Sequence, residues 1–109
     1  MPKAAGLPPG TLTLLILRVV RPGPLHGYAI AQRIRQLSSE QLSVEEGSLY
    51  PALQKALASG WLKAEWTTSD TGRQVRSYRI TAKGVKQLEA EQQDYQRMAD
   101  AIAAIFHAT

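Results

Sequence analysis

Ser43-Val44-Glu45-Glu46-Gly47-Ser48-Leu49-Tyr50-Pro51-Ala52-Leu53-Gln54-Lys55-Ala56-Leu57-Ala58-Ser59-Gly60, followed at once by Trp61-Leu62-Lys63-Ala64-Glu65-Trp66, decides how the rest of the chain is read. Leu49, Leu53 and Leu57 recur at i, i+4 and i+8, the spacing of one buried helix stripe, and Gly60 stops that helix. Ser43 and Glu46 have the capping-box spacing, in which Ser43 caps and Glu46 reaches back. Pro51 complicates the start, because deep in a helix it removes a backbone bond and clashes; either the helix begins nearer Glu46 to Ser48, the preferred reading, or it is locally distorted at Pro51. After Gly60 the period changes to alternation, with Leu62, Ala64 and Trp66 on one strand face. Val75 to Ile80 alternates in the same way, with Arg76, Tyr78 and Ile80 sharing a face. The polar run from Thr68 to Gln74 joins the two as a β-hairpin with a mobile, partly basic tip.

Toward the N-terminus, Pro8-Pro9-Gly10 opens a first helix, where a proline is well tolerated. Leu12, Leu14, Leu15, Ile16, Leu17, Val19 and Val20 cover nearly its whole circumference. A helix apolar all round is buried on all sides, so one side faces its own domain and the other a partner chain. Arg21-Pro22-Gly23-Pro24 ends it. Gly27 to Leu37 is a second helix, with Tyr28, Ile30, Ala31, Ile34 and Leu37 at helical spacing and Arg33 and Arg35 outward.

Toward the C-terminus, Thr81 caps a last helix that runs to about residue 106. Val85, Leu88, Gln92, Tyr95, Ala99, Ile102 and Phe106 are spaced alternately by three and four, a heptad seam, and Met98 and Ile105 broaden it. Some 25 residues give about 37 Å, longer than so small a domain can cover, which predicts pairing with another chain. Leu12, Leu15 and Ile16 of the first helix join the seam as the expected dimer interface.

The chain has 109 residues, 44% apolar and 20% charged, with no cysteine. That is one ordinary globular domain without disulfides or thiolate metal sites. His26 and His107 are too far apart in sequence to suggest a metal centre. No nucleophile–base grouping or phosphate-cradling glycine loop stands out, so neither catalytic residues nor cofactors are assigned. The longest apolar run is too short for a bilayer, and Met1 to Gly6 lacks the order of a signal peptide; the expected location is the cytoplasm. Residues 1–44 carry five bases against one acid, 45–81 five against four, and 82–109 three against four, so the net +4 lies away from the last helix.

Three helices, a hairpin and a long helix make the expected fold mainly α within the α+β class. It is a winged helix-turn-helix over residues 1–81 with a C-terminal dimerisation helix over 82–109. In such a unit the third helix enters the DNA major groove and the hairpin tip reaches the backbone or minor groove. Ser48, Gln54 and Lys55 are polar residues on a helix whose leucines are committed to the core. Gln54 suits an adenine edge and Lys55 guanine or phosphate. Gly47 and Ser48 allow close approach to the sugar-phosphate chain, and Arg73 and Arg76, flanking the wing tip, suit phosphates or a narrow minor groove.

Pro24-Leu25-His26-Gly27-Tyr28 leading into Ile30-Ala31-Gln32-Arg33-Ile34 resembles the helix 2 signature of the PadR family of transcriptional regulators. Gly47-Ser48-Leu49-Tyr50-Pro51-Ala52-Leu53, then Gly60-Trp61-Leu62, and Arg76-Ser77-Tyr78-Arg79-Ile80-Thr81-Ala82-Lys83-Gly84 are similar to later family segments, in the same order. The brief C-terminal segment resembles the family's short class. Val44-Glu45-Glu46-Gly47 and Glu89-Ala90-Glu91 resemble its acidobacterial-type subgroup. The resemblance implies a bacterial homodimeric repressor on a palindromic operator, with Tyr28, Arg33, Tyr50 and Gly72 added to the DNA-contacting set. It also implies a small-molecule effector between the domains, for which Tyr95, Met98 and Ala99 are the candidate lining. The last helix carries no tryptophan, a departure from short-class members that stack aromatic ligands there.

Each feature also has a plainer reading. Tyr50 and Tyr28 either touch phosphate or pack their rings. Glu45 and Glu46 stabilise a helix N-terminus, His26 caps the second helix, and Trp61 and Trp66 pack within the hairpin. Arg33 and Arg35 either clamp backbone or form a solvated face. The rival to a DNA-binding regulator is a winged-helix module whose basic surface meets an acidic protein.

Overall fold

The apolar stripes of the first three helices converge on Ile16, Leu17, Val20, Ile30, Ile34, Leu49, Leu53 and Ala56, and the core is closed by Leu62, Tyr78 and Leu88 from the hairpin and the last helix. The computed structural model describes Leu7 and residues 10–109; the expected helix opening at Pro8-Pro9 and the reading of Met1 to Gly6 lie outside the described residues. In chain order the elements are α1 (Thr11–Val20), β1 (Leu25–His26), α2 (Gly27–Leu37), α3 (Glu46–Ala58), β2 (Leu62–Thr68), β3 (Gln74–Ile80) and α4 (Ala82–Phe106). The fold is mainly helical α+β with a small antiparallel sheet, as the sequence predicts.

The sheet has the order β1-β3-β2. Strands β2 and β3 pair Leu62 with Ile80, Ala64 with Tyr78 and Trp66 with Arg76, so the expected shared face is observed. Strand β1 was not expected: Leu25 pairs with Tyr78 and His26 with Ser77. Two residues are too few for a period to register, and they follow a Pro-Gly-Pro run that reads as a turn. His26 does hold the N-cap position of α2, but without a side-chain capping bond.

Helix α3 starts at Glu46, with Pro51 inside it and Glu45 as N-cap without a side-chain bond. The capping box is therefore a correction: Ser43 sits two residues before the N-cap, too far back to cap. The start fits a hydrophobic staple pattern instead, because Val44 precedes the cap and Leu49 is the fourth helical residue; Leu49 belongs to the core cluster and Val44 packs against it. At the other end, Gly60 has φ +77, and the N–H groups of Gly60 and Trp61 donate to the carbonyls of Leu57 and Ala56 at 3.0 and 2.9 Å. That left-handed exit turns the chain directly into β2.

Thr81 caps α4 as expected, accepting from the Gly84 N–H at 3.0 Å, and its hydroxyl also donates to the Gly60 carbonyl at 2.6 Å. The Thr81 N–H donates to the Trp61 carbonyl at 3.0 Å. The ends of α3 and β3 and the start of α4 are thus tied at one corner, where Gly84 is buried. The hairpin tip is more closely knit than expected. Ser69 and Arg73 bond across it, Ser69 N–H to Arg73 carbonyl at 2.8 Å and Arg73 N–H to Ser69 Oγ at 3.2 Å.

Only the first half of α4 meets the core. Tyr95, Met98, Ile105 and Phe106 are more than half exposed. The radius of gyration is 15.1 Å, against about 13 Å for a compact chain of this length, and the longest dimension of 59 Å reflects the projecting helix. Among the described residues no helix is long and apolar enough to cross a membrane.

Candidate nucleic-acid interface

Burying Leu49, Leu53 and Ala56 turns the opposite side of α3 outward, and Gly47, Tyr50, Gln54 and Lys55 are exposed along it. Gly47, Tyr50 and Gln54, spaced by three and four, share one stripe, and Lys55 stands about 100° around the helix from Gln54, at the margin of the same exposed side. Ser48 is half-buried at its edge. Facing this stripe is the inner surface of the hairpin, and the two enclose a cleft of about 350 Å³ that includes Tyr28, Tyr50, Gln54, Trp66, Arg76 and Tyr78 in its walls.

The expected DNA-contacting residues fall into three groups. Tyr28, Tyr50, Gln54 and Arg76 line the cleft. Gly47 and Lys55 lie on the exposed α3 stripe outside it, and Gly72 and Arg73 are exposed at the hairpin tip. Arg33 stands apart on the solvent side of α2, with Nη1 donating to Gln36 Oε1 at 3.5 Å. Among the described residues, Lys55, Arg73 and Arg76 form no ion pair, whereas Arg79 is engaged with Glu65 at 3.1 Å on the other hairpin face.

Both tryptophans are expected to pack within the hairpin; Trp61 packs instead against the core cluster, and Trp66 is 68% exposed and faces the cleft opposite Arg76. Alternation puts Trp66 on the face of Leu62 and Ala64, yet burial on that face falls along the strand, from buried Leu62 through half-buried Ala64 to exposed Trp66. Tyr78 was also missed. It is 3% exposed yet lines the cleft, so its ring is buried while its hydroxyl opens to the floor. No local pattern distinguishes such a tyrosine from a purely structural one.

Burial pushes the Tyr78 hydroxyl above its ordinary pKa of 10.0, the nearby Arg76 guanidinium partly opposes this, and Tyr50 adds to it. A raised folded-state value means that stability is fully present below the unfolded value and is lost as pH rises through the folded one. Thermal melts should therefore fall on the alkaline side of pH 10, and Tyr78→Phe should flatten that fall; an unchanged alkaline limb in the variant would refute the assignment.

The expected effector residues are not brought together. Tyr95 lines a groove of about 420 Å³ with Leu14, Leu15 and Arg18 of α1 and Leu88 and Gln92 of α4, while Met98 and Ala99 lie outside it. Two residues expected at a dimer interface are corrected. Ile16 and Leu88, at 0% and 4% exposure, are inside the chain's own core and have no surface to offer a partner. Leu12, Leu15, Val85 and Ala99 are half-buried, and Gln92, Tyr95, Ile102 and Phe106 are exposed.

Residues 16–90 match the model of the transcriptional regulator PadR-like family. A 37.1 kDa protein in transposon TN4556 of Streptomyces fradiae is 36% identical over 86 residues, covering 79% of this chain and 23% of that protein. This chain thus spans about a quarter of the length of that relative. A transcriptional regulator from Clostridium thermocellum superposes with a TM-score of 0.78 at 26% identity, covering 86% of this chain and 88% of the other. A PadR family transcriptional regulator from Eggerthella lenta gives 0.75 at 25% identity, with 92% and 85% covered.

Proposed function

This chain belongs to the PadR-like family of transcriptional regulators, and from that premise we propose that it binds a palindromic operator as a homodimer and represses the gene it occupies. Residues 1–81 form the reading unit and 82–109 the dimerising helix, with the first turns of α4 built into the core of the former. Helix α3 enters the major groove, where Gln54 and Lys55 meet base edges or phosphates and Gly47 and Ser48 allow close approach. Arg73 and Gly72 at the hairpin tip contact the flanking backbone. The observation that carries this reading is the juxtaposition of an exposed polar helix stripe with the tip and cleft side of a hairpin, where Arg73 and Arg76 are not engaged by carboxylates among the described residues.

The dimer forms through the distal half of α4 and the outer side of α1, at Leu12 and Leu15. The groove beside Tyr95 lies between those two helices, so a small molecule wedged there alters the spacing of the reading heads and releases the operator. A regulator of this kind works in the cytoplasm, where the chromosome is.

Fluorescence anisotropy tests the reading, using a duplex from upstream of the gene beside a scrambled duplex across a salt series. A preference of about a thousandfold is expected, with a steep salt slope. Lys55→Gln and Arg73→Gln should each lower the slope by roughly one phosphate per protomer. Absence of binding even at low salt would favour the protein-interaction module instead.

A further inference from the structure

The floor of the cleft contains groups that the core does not need. Helix α2 begins there, and its first amides have no partner within the helix. Its N-cap residue His26 makes no side-chain capping bond, and no acidic residue lies in its first turn. The Tyr50 ring stands over this helix start, because a methyl group built on Gly27 would lie 3.7 Å from the Tyr50 hydroxyl oxygen. Tyr78 approaches from the sheet, paired across β1 with Leu25, two residues before α2.

Tyr78 supplies an independent sign that something is to be bound. Its side chain is 3% exposed, and among the described residues its hydroxyl makes no hydrogen bond. Among those residues no fully buried side-chain oxygen or nitrogen is left without a partner, so this hydroxyl is not sealed in; it opens onto the cleft that Tyr78 lines. The core does not need this hydroxyl, since a phenylalanine would fill the same space, and as the oxygen of a largely buried ring it is held at a fixed place on the cleft wall. Arg76, paired opposite Trp66 in the hairpin, lines the same cleft and adds a positive charge.

We propose that the floor of this cleft seats one phosphodiester of the bound duplex, held by the first amides of α2 and by the Tyr78 and Tyr50 hydroxyls, with Arg76 compensating its charge. The inference rests on the DNA-binding reading and deepens it by assigning a backbone-positioning role to Tyr78, a residue of the sheet. Helix N-termini favour anions through their amides and dipole. The two hydroxyls add donors at fixed positions, because the Tyr78 ring cannot move without disturbing the core. The seat fixes where along the groove α3 lies, without reading sequence.

The test is anisotropy with the full chain as wild type, Tyr78→Phe, Arg76→Gln and the double variant, across a salt series, with a thermal melt of each at neutral pH. Tyr78→Phe should melt with wild type and bind roughly tenfold more weakly at every salt concentration. Its salt slope should be unchanged, since a neutral hydroxyl displaces no counterion. Arg76→Gln should lower the slope by about one phosphate per protomer. The double variant should lose less than the product of the single losses, because both groups act on the same phosphate. Wild-type affinity in Tyr78→Phe, a lowered melting temperature, or strictly multiplicative losses would each overturn the seat while leaving the DNA reading intact. Failure of wild type to bind any duplex would remove both.

Discussion

Gly84→Ala should destabilise the protein by about 3 kcal/mol or more, a loss typical of severe overpacking. A Cβ at this position would lie 2.1 Å from the Trp61 carbonyl oxygen and 2.7 Å from Ile80 Cγ1. The first obstacle is backbone, at the corner where Thr81 bonds Gly60 and caps α4, so no side-chain rotation relieves it. For a domain of this size the loss corresponds to a fall of roughly 12–25 °C in melting temperature. Gly47→Ala is the matched control: nothing lies within 4 Å of a Cβ there, and the residue sits inside α3. Alanine at Gly47 should hold or raise stability, by about 0.5–1 kcal/mol. Similar melting temperatures for the two variants would show that the approach of α4 to Trp61 is not a close one.

Ile102→Glu should convert a dimer into monomers with little change in the protomer's own fold. Residues 92–106 extend about 22 Å past the part of α4 that packs on the core. An isolated helix of such length is marginal in water, and this one displays Tyr95, Met98, Ile102, Ile105 and Phe106 to solvent. In the proposed dimer a second copy covers that stripe, and a carboxylate at its centre would be buried without a partner, at a cost of several kcal/mol. Sedimentation equilibrium at micromolar concentration should give twice the 12.0 kDa chain mass for wild type and the single mass for the variant. Affinity for a two-half-site duplex should fall with it. A monomeric wild type would overturn the dimer, and a variant that stays dimeric would place the interface elsewhere.

What could be read from the sequence was whatever repeats locally. The leucine spacing of α3, the alternation of β2 and β3, the threonine cap and the length of α4 are patterns within one element, and each is observed. Features that depend on where elements meet were not legible. Strand β1 exists only because β3 passes beside it. Ser43 and Glu46 have the right spacing for a capping box, but tertiary packing of Val44 and Leu49 decides where α3 begins. Ile16 and Leu88 look like the rest of an apolar seam, and only the fold shows that the core claims them. The Tyr28, Tyr50, Gln54 and Arg76 part of the cleft was within reach, because those residues lie on exposed stripes of predicted elements. Trp66 and Tyr78 were not, since a strand's alternation says which residues share a face but not where its supporting helices end.

The corner of Gly60, Trp61, Thr81 and Gly84 leaves no hinge between the helix that would read DNA and the helix that would join two protomers. The pair then behaves as a caliper with a fixed gap. Successive half-sites that face the same way lie about 10–10.5 base pairs apart, so inserting one base pair between them swings the second by roughly 35° about the duplex axis. A jointed protein would follow that rotation by flexing. In the proposed dimer the mismatch would be absorbed by twisting the DNA or by letting go of one half-site, which would make the spacing of the operator as much a part of its address as its bases.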